Sequence, residues 1–156
     1  MSPNIEPIPF GACNCSTLRK ASRHLSQLYD AALAPSGLKS TQAAIMMEVE
    51  RRKDDPPTMH ELAKALVLEQ STVGQNLRPL ERDGLIALKQ GAADRRRRHV
   101  TVTEAGRAKL AMVLPLWAGA QKRFEDFLGS KEAAELRATM LKVAYEFSPA
   151  SEDDSG

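Results

Sequence analysis

Aromatic residues are scarce in this chain: one Trp, two Tyr and four Phe among 156 residues. A core must therefore come from aliphatic and alanine side chains, which favours helices over sheets. Cysteine is scarcer still, with Cys13 and Cys15 alone, too few for a disulfide framework. No run approaches the ~18 consecutive apolar residues of a membrane span. The opening segment, MSPNIEPIPFGACNC, has no basic n-region and no apolar h-region, so it does not read as a secretory signal. Together these absences predict a cytoplasmic chain with no membrane partner. A large excess of one charge is also missing. The net charge of +2 does not by itself imply a polyanionic partner, so the distribution of charge matters more than its total.

Catalytic constellations are missing as well. MHELAK begins like a zinc-protease motif, but Lys64 stands where a second histidine is required. His24, His60 and His99 fall on separate elements and are expected to be solvent-facing or hydrogen-bonded. There is no Gly-rich phosphate loop and no nucleophile elbow. Neither an enzyme nor a required cofactor is expected.

What is present is an ordinary globular composition, 42% hydrophobic and 27% charged, at a length that suits one domain or two small lobes sharing a core. Residues 1–15 read as an irregular arm, and 148–156 as a disordered acidic tail. Between them the pattern is mainly α. Leu18, Ala21, Leu25, Leu28, Tyr29 and Ala32 form one apolar stripe, predicting a helix from about Ser16 to Ala34, stopped by Pro35 and Gly37. A second helix is expected from about Ser40 to Arg52. Thr58 and Glu61 then have capping-box spacing ahead of a short helix with Met59, Leu62, Ala63 and Leu66. After a turn at Val67 to Glu69, another helix carries Val73, Leu77 and Leu80, with Pro79 inside it and Gly84 at its end.

Two short helices joined by a tight turn, the second rich in Ser, Thr, Gln, Asn and Arg, predict a helix-turn-helix. The run LIALK and the alternating HVTVT that follow read as two strands. Between them, Gln90 to Arg98 form a tip carrying Arg95, Arg96, Arg97 and Arg98. A basic hairpin behind a helix-turn-helix is a wing. The last third is helical again. One stripe runs from about Glu104 through Leu110, Val113, Trp117 and Phe124, with Pro115 as a candidate kink. Another runs from about Lys131 to Phe147. Both carry more apolar surface than so short a chain can cover, which predicts a two-fold homodimer.

The stretches STVGQNLRPLERDGLI and DRRRRHVTVTEAG, with the helices around them, resemble the MarR family of winged-helix transcriptional regulators. Asp94 and Arg96 form the Asp-x-Arg of the wing, followed at family spacing by Val100, Val102, Thr103 and Gly106. The resemblance extends from about Ser16 to Phe147. It implies a winged helix over about 40–104 and dimerisation helices over about 16–34 and 104–147. It also implies a ligand-responsive homodimeric repressor bound to a pseudo-palindromic operator in double-stranded DNA. Ser71, Thr72, Gln75, Asn76 and Arg78 would then line the recognition helix in the major groove. Arg96 would enter the minor groove, with Asp94 bracing the wing. Gln75 departs from the basic residue that many relatives carry. Glutamine pairs with adenine edges, so the departure bears on base preference. The physics is consistent with this picture: arginine is favoured in a narrow minor groove, and neighbouring arginines with Lys89 neutralise phosphates.

The family's effectors are small molecules held between the dimer helices and the winged lobe. His24, Tyr29, Met46, Met47 and Trp117 are the candidate pocket residues, each with core packing as the competing role. Cys13 and Cys15 offer a different sensor. They are expected just before the first helix, near Arg19 and Lys20, where thiols are readily oxidised. Some relatives sense hydroperoxides through a cysteine inside that helix, and the cysteines here lie ahead of that position. Metal binding by the pair would need further ligands from His24 or a second chain. The remaining alternative is a winged-helix module that binds protein and has no operator of its own.

Overall fold

The computed structural model describes residues 1–149, so from residue 150 onward the expected acidic tail lies outside the described residues. The arm ends earlier than the stripe suggested, because the first helix starts sooner. α1 spans Asn14–Leu33 and its N-cap is Cys13, whose sulfur accepts the Ser16 N–H. Cys15 therefore sits in the first turn of the helix and not ahead of it. A single 3-10 turn over Ala34–Ser36 follows, with Pro35 near its start. There the buried Ser36 hydroxyl donates to the Leu33 carbonyl at 2.6 Å.

α2 is Ser40–Arg51. Asp30, one helix earlier, accepts from both the backbone N–H and the hydroxyl of Ser40, so a carboxylate on α1 supplies the cap that Lys39 lacks. α3, Met59–Leu66, starts with the expected capping box: Thr58 Oγ1 accepts the Glu61 N–H and the Glu61 carboxylate accepts the Thr58 N–H. The turn into α4, Gln70–Arg82, passes through Val67 at φ 53°. Pro79 lies inside α4 without ending it.

β1 (Ile86–Gln90) and β2 (Arg98–Val102) pair antiparallel, Ile86 opposite Val102 and Gln90 opposite Arg98. Gln90 and Arg98 are thus strand residues, and the tip is shorter than expected at each end. The Pro56–Pro57 segment adds a short third edge. The Val100 N–H donates to the Pro57 carbonyl at 2.8 Å, and Thr58 bridges His99. A residue before proline is held extended, which explains why this linker pairs with a strand.

α5 (Glu104–Leu128) runs unbroken through Pro115, and α6 (Ser130–Glu146) follows after Gly129. The core gathers where the expected stripes meet. Ile45, Met46 and Val49 of α2, Leu62 of α3, Val73, Leu77 and Leu80 of α4, and Val100 and Val102 of β2 pack with Leu110 and Val113 of α5. Leu116 packs against this core, while most of the rest of α5 and nearly all of α6 lie outside. Met112, Leu114, Trp117, Phe127, Leu141, Val143 and Tyr145 are exposed, so the surplus apolar surface expected of the last two helices is present.

Candidate nucleic-acid interface

α4 has two faces. Val73, Leu77 and Leu80 are buried, while Ser71, Gln75 and Arg78 are exposed. Spacings of four and three residues place those three polar side chains in one row. The N-cap is Glu69 and makes no side-chain cap bond, so neither Ser71 nor Thr72 is occupied as a cap. Thr72 and Asn76 are half-buried beside the row, and the Asn76 amide donates to the Thr72 carbonyl at 2.8 Å. Of the five recognition residues expected, three face solvent freely and two flank them. At the entrance to α4, the side chains of Gln70 and His60 are hydrogen-bonded at 2.9 Å and tie it to α3.

The arginine tip is a closed loop. Gly91 N–H donates to the Arg97 carbonyl at 2.8 Å, Arg97 N–H to the Asp94 carbonyl at 3.1 Å, and Arg96 N–H to the Asp94 carboxylate at 2.9 Å. Asp94 thus braces the loop through backbone groups and forms no ion pair with a guanidinium. Arg95, Arg96, Arg97 and Arg98 are all exposed, and among the described residues none has an ion-pair partner. Adjacent like charges repel unless a polyanion neutralises them. The wing follows α4 after a short turn and packs on it through β1, so the polar row and the arginine loop belong to one unit.

The pocket candidates separate. His24 and Tyr29 line an open groove of about 1170 Å³ between α1, α5 and α6, walled by Leu25, Phe124, Phe127, Met140 and Val143. Met46 is fully buried in the core, Met47 packs against that core, and Trp117 is exposed on α5 and does not line the groove. A helical stripe says which face is covered and not by what, so periodicity alone does not separate these three from His24 and Tyr29. On the groove wall, Tyr29 Oη donates to Gln121 at 2.5 Å, Gln121 donates to Glu125 at 2.9 Å, and Arg137 stands 3.7 Å from Glu125. Burial, reinforced by the Glu125 charge and opposed by Arg137, raises the Tyr29 pKa above its ordinary value.

Cys13 and Cys15 are free thiols beside a small depression formed with Ser16, Arg19, Lys20 and Arg23. His24 does not join them, and among the described residues no cluster of three or more candidate ligands could hold a metal ion. Two contacts were not legible in the sequence. His99 Nδ1 lies 2.7 Å from the Pro56 carbonyl, and Tyr145 Oη donates to the Ala65 carbonyl at 2.6 Å, joining α6 to α3. The paired prolines were the one available signal for the first; the second had none.

Comparison with known proteins agrees with this geometry. Residues 36–97 match the model of the MarR family. A helix-turn-helix-type transcriptional regulator of Bacillus cereus is 30% identical over 119 residues, covering 76% of this chain and 78% of its own. The transcriptional regulator HosA of Escherichia coli is 32% identical over 108 residues, covering 68% and 75%. Among solved structures, the Mycobacterium tuberculosis transcriptional regulator MosR in complex with DNA is 35% identical, with a TM-score of 0.76 over 86% of this chain and 95% of that one.

Proposed function

The chain belongs to the MarR family of winged-helix, DNA-binding transcriptional regulators, which are not enzymes, and on that premise we propose that it is a homodimeric repressor of a pseudo-palindromic operator, released by a small-molecule ligand. The observation that carries the reading is the joined pair of surfaces: the exposed Ser71, Gln75 and Arg78 row, and behind it the exposed arginine loop closed by Asp94. Short polar side chains reach base edges in the major groove. Arg96 enters the minor groove, and its neighbours with Lys89 neutralise phosphates. The wing presents charge and not an apolar patch, which disfavours a purely protein-binding module.

The groove between α1, α5 and α6 supports the dimer. Its walls are apolar and uncovered in a single chain, and a second copy placed on it two-fold would remove that surface from water. Half-sites would then lie about one helical turn, ~34–36 Å, apart. Ligand response has a structural route, because α6 lines the groove and is tied to α3 through Tyr145. A ligand that fits one separation of the two lobes better than another shifts the population toward it. The protein acts where the DNA is, in the cytoplasm.

A second reading keeps the fold and moves the sensor to the thiols. Cys13 caps α1, and the exposed Cys15 stands two residues on. Two such thiols can lose two protons and two electrons to a hydroperoxide, which is reduced to an alcohol and water as the disulfide forms.

The test is a titration against DNA from the region upstream of the coding sequence, at two salt concentrations, with and without reductant. Tight, salt-sensitive binding that reductant leaves unchanged supports the ligand-responsive repressor. Binding that changes with reductant, and no longer does so when both cysteines are Ser, moves the sensor to Cys13 and Cys15. Absence of any specific site in a random-sequence selection would overturn both readings.

A further inference from the structure

The arginine loop is only as well aimed as its base. A two-stranded hairpin is marginal by itself, and this one carries four adjacent arginines, three in its tip and Arg98 at the start of β2. Val100 and Val102 in the core and the Val100–Pro57 backbone bond hold its base, and one side chain reaches from that base to the loop.

His99 is the second residue of β2, just past the arginines, and is half-buried. Its Nδ1 lies 2.7 Å from the Pro56 carbonyl oxygen. A carbonyl only accepts, so Nδ1 carries the proton. Pro56 opens the linker into α3: Pro57 accepts the Val100 N–H and Thr58, the α3 cap, bridges His99. The imidazole is therefore anchored at the start of the helix-turn-helix. Its other edge meets the loop. A Cβ added to Gly91 would stand 3.0 Å from His99 Nε2, 3.3 Å from Cδ2 and 2.9 Å from the Asp94 carbonyl. Gly91 is the residue whose N–H closes the loop onto Arg97, and Asp94 holds the Arg96 and Arg97 N–H groups.

We propose that His99 is a positioning residue for DNA binding: its ring spans Pro56 and Gly91 and sets the angle of the arginine loop relative to the recognition helix. This rests on the operator-binding reading above. Without the ring, the hairpin keeps its strand pairing, its core packing and the Val100–Pro57 bond, but loses the brace that reaches the loop. The loop must then be ordered when DNA binds, at a cost in affinity. Gly91 is required from the other side, because a methyl group there pushes against the ring and the Asp94 carbonyl together.

The experiment uses the full chain and a duplex selected by the wild-type protein from random sequence. Affinity, salt dependence, thermal midpoint and a base-resolved minor-groove footprint are measured for wild type, His99→Ala, His99→Asn and Gly91→Ala. For His99→Ala, affinity falls about three- to tenfold, the worth of one hydrogen bond. Salt dependence becomes shallower, and minor-groove protection is lost at the flanks while the centre of each half-site stays protected. His99→Asn, whose amide N–H can reach the same carbonyl, recovers the flanking protection. Gly91→Ala reproduces the flank-selective loss and serves if His99→Ala does not fold. Two results would overturn the proposal: unchanged flanking protection in both His99→Ala and Gly91→Ala, or protection lost at centre and flanks alike in step with the folded fraction. A wild-type chain that selects no sequence would instead overturn the operator-binding reading and this inference with it.

Discussion

Gly106 approaches Leu85 so closely that a Cβ on the glycine would stand 2.1 Å from the Leu85 carbonyl oxygen and 2.7 Å from Val102 Cγ1. The contact welds the first turn of α5 to the base of the wing. Thr103 reinforces it, accepting the Gly106 N–H at 3.0 Å and donating to the Gly84 carbonyl at 2.6 Å. Gly106→Ala is expected to cost about 1–3 kcal/mol, the usual price of overpacking, or more because the clash is with backbone. Denaturant unfolding would show it as a lower midpoint at unchanged slope.

Val67 sits at φ 53° in the turn between α3 and α4 and is 59% exposed. A β-branched residue is strained there, and its side chain contributes little burial in return. Val67→Asn should stabilise the chain by about 1 kcal/mol, read as a higher thermal midpoint with DNA affinity retained.

Glu61 titrates below its ordinary 4.5, first because its carboxylate accepts the Thr58 N–H; burial opposes this, and the Thr58 hydroxyl and Arg52 add to the lowering. A carboxylate depressed by folding stabilises the native state above its unfolded pKa, and that contribution is lost as pH falls through the folded value. Glu61→Gln keeps a capping acceptor but removes the titration. Stability should therefore decline less steeply between neutral pH and pH values below 4.5 than in wild type, as measured by unfolding across that range.

The recognition helix and the wing should fail differently. Arg97→Ala, which removes a phosphate-neutralising charge, is expected to weaken all sequences similarly and to reduce the salt slope by about one. Gln75→Ala should cost about 1–3 kcal/mol at one base position and relax specificity there, with the salt slope intact. Binding isotherms on the selected site and on single-base variants separate the two. Neither change should alter the thermal midpoint, since both side chains are exposed.

Val143 lies on the groove wall and is 49% exposed in a single chain. Val143→Glu should leave the winged helix folded while converting the proposed dimer to monomer, because a carboxylate buried there without a partner would be costly. Sedimentation or light scattering reads the mass, and circular dichroism the fold.

Much of this architecture was legible beforehand because its causes are local. The Thr58–Glu61 box, the Val73, Leu77 and Leu80 stripe and the alternation at Val100 and Val102 are each written within a few residues. Element ends were less legible. α1 starts at Asn14 because a cysteine, a weak acceptor seldom read as a cap, holds the Ser16 N–H. Arg98 joined β2 because pairing with Gln90 outweighs the turn-like look of an arginine run.

The order of helices, the helix-turn-helix and the arginine-tipped hairpin were determined by the sequence itself, since periodicity, capping and turn chemistry act between neighbours. The tertiary structure alone decided what covers each face. It sent Met46 into the core while leaving His24 and Tyr29 on a groove. It joined His99 to Pro56 across 43 residues and Tyr145 to Ala65 across 80. Such contacts depend on which surfaces meet when the helices pack, and a one-dimensional pattern encodes that a face is buried without naming its partner.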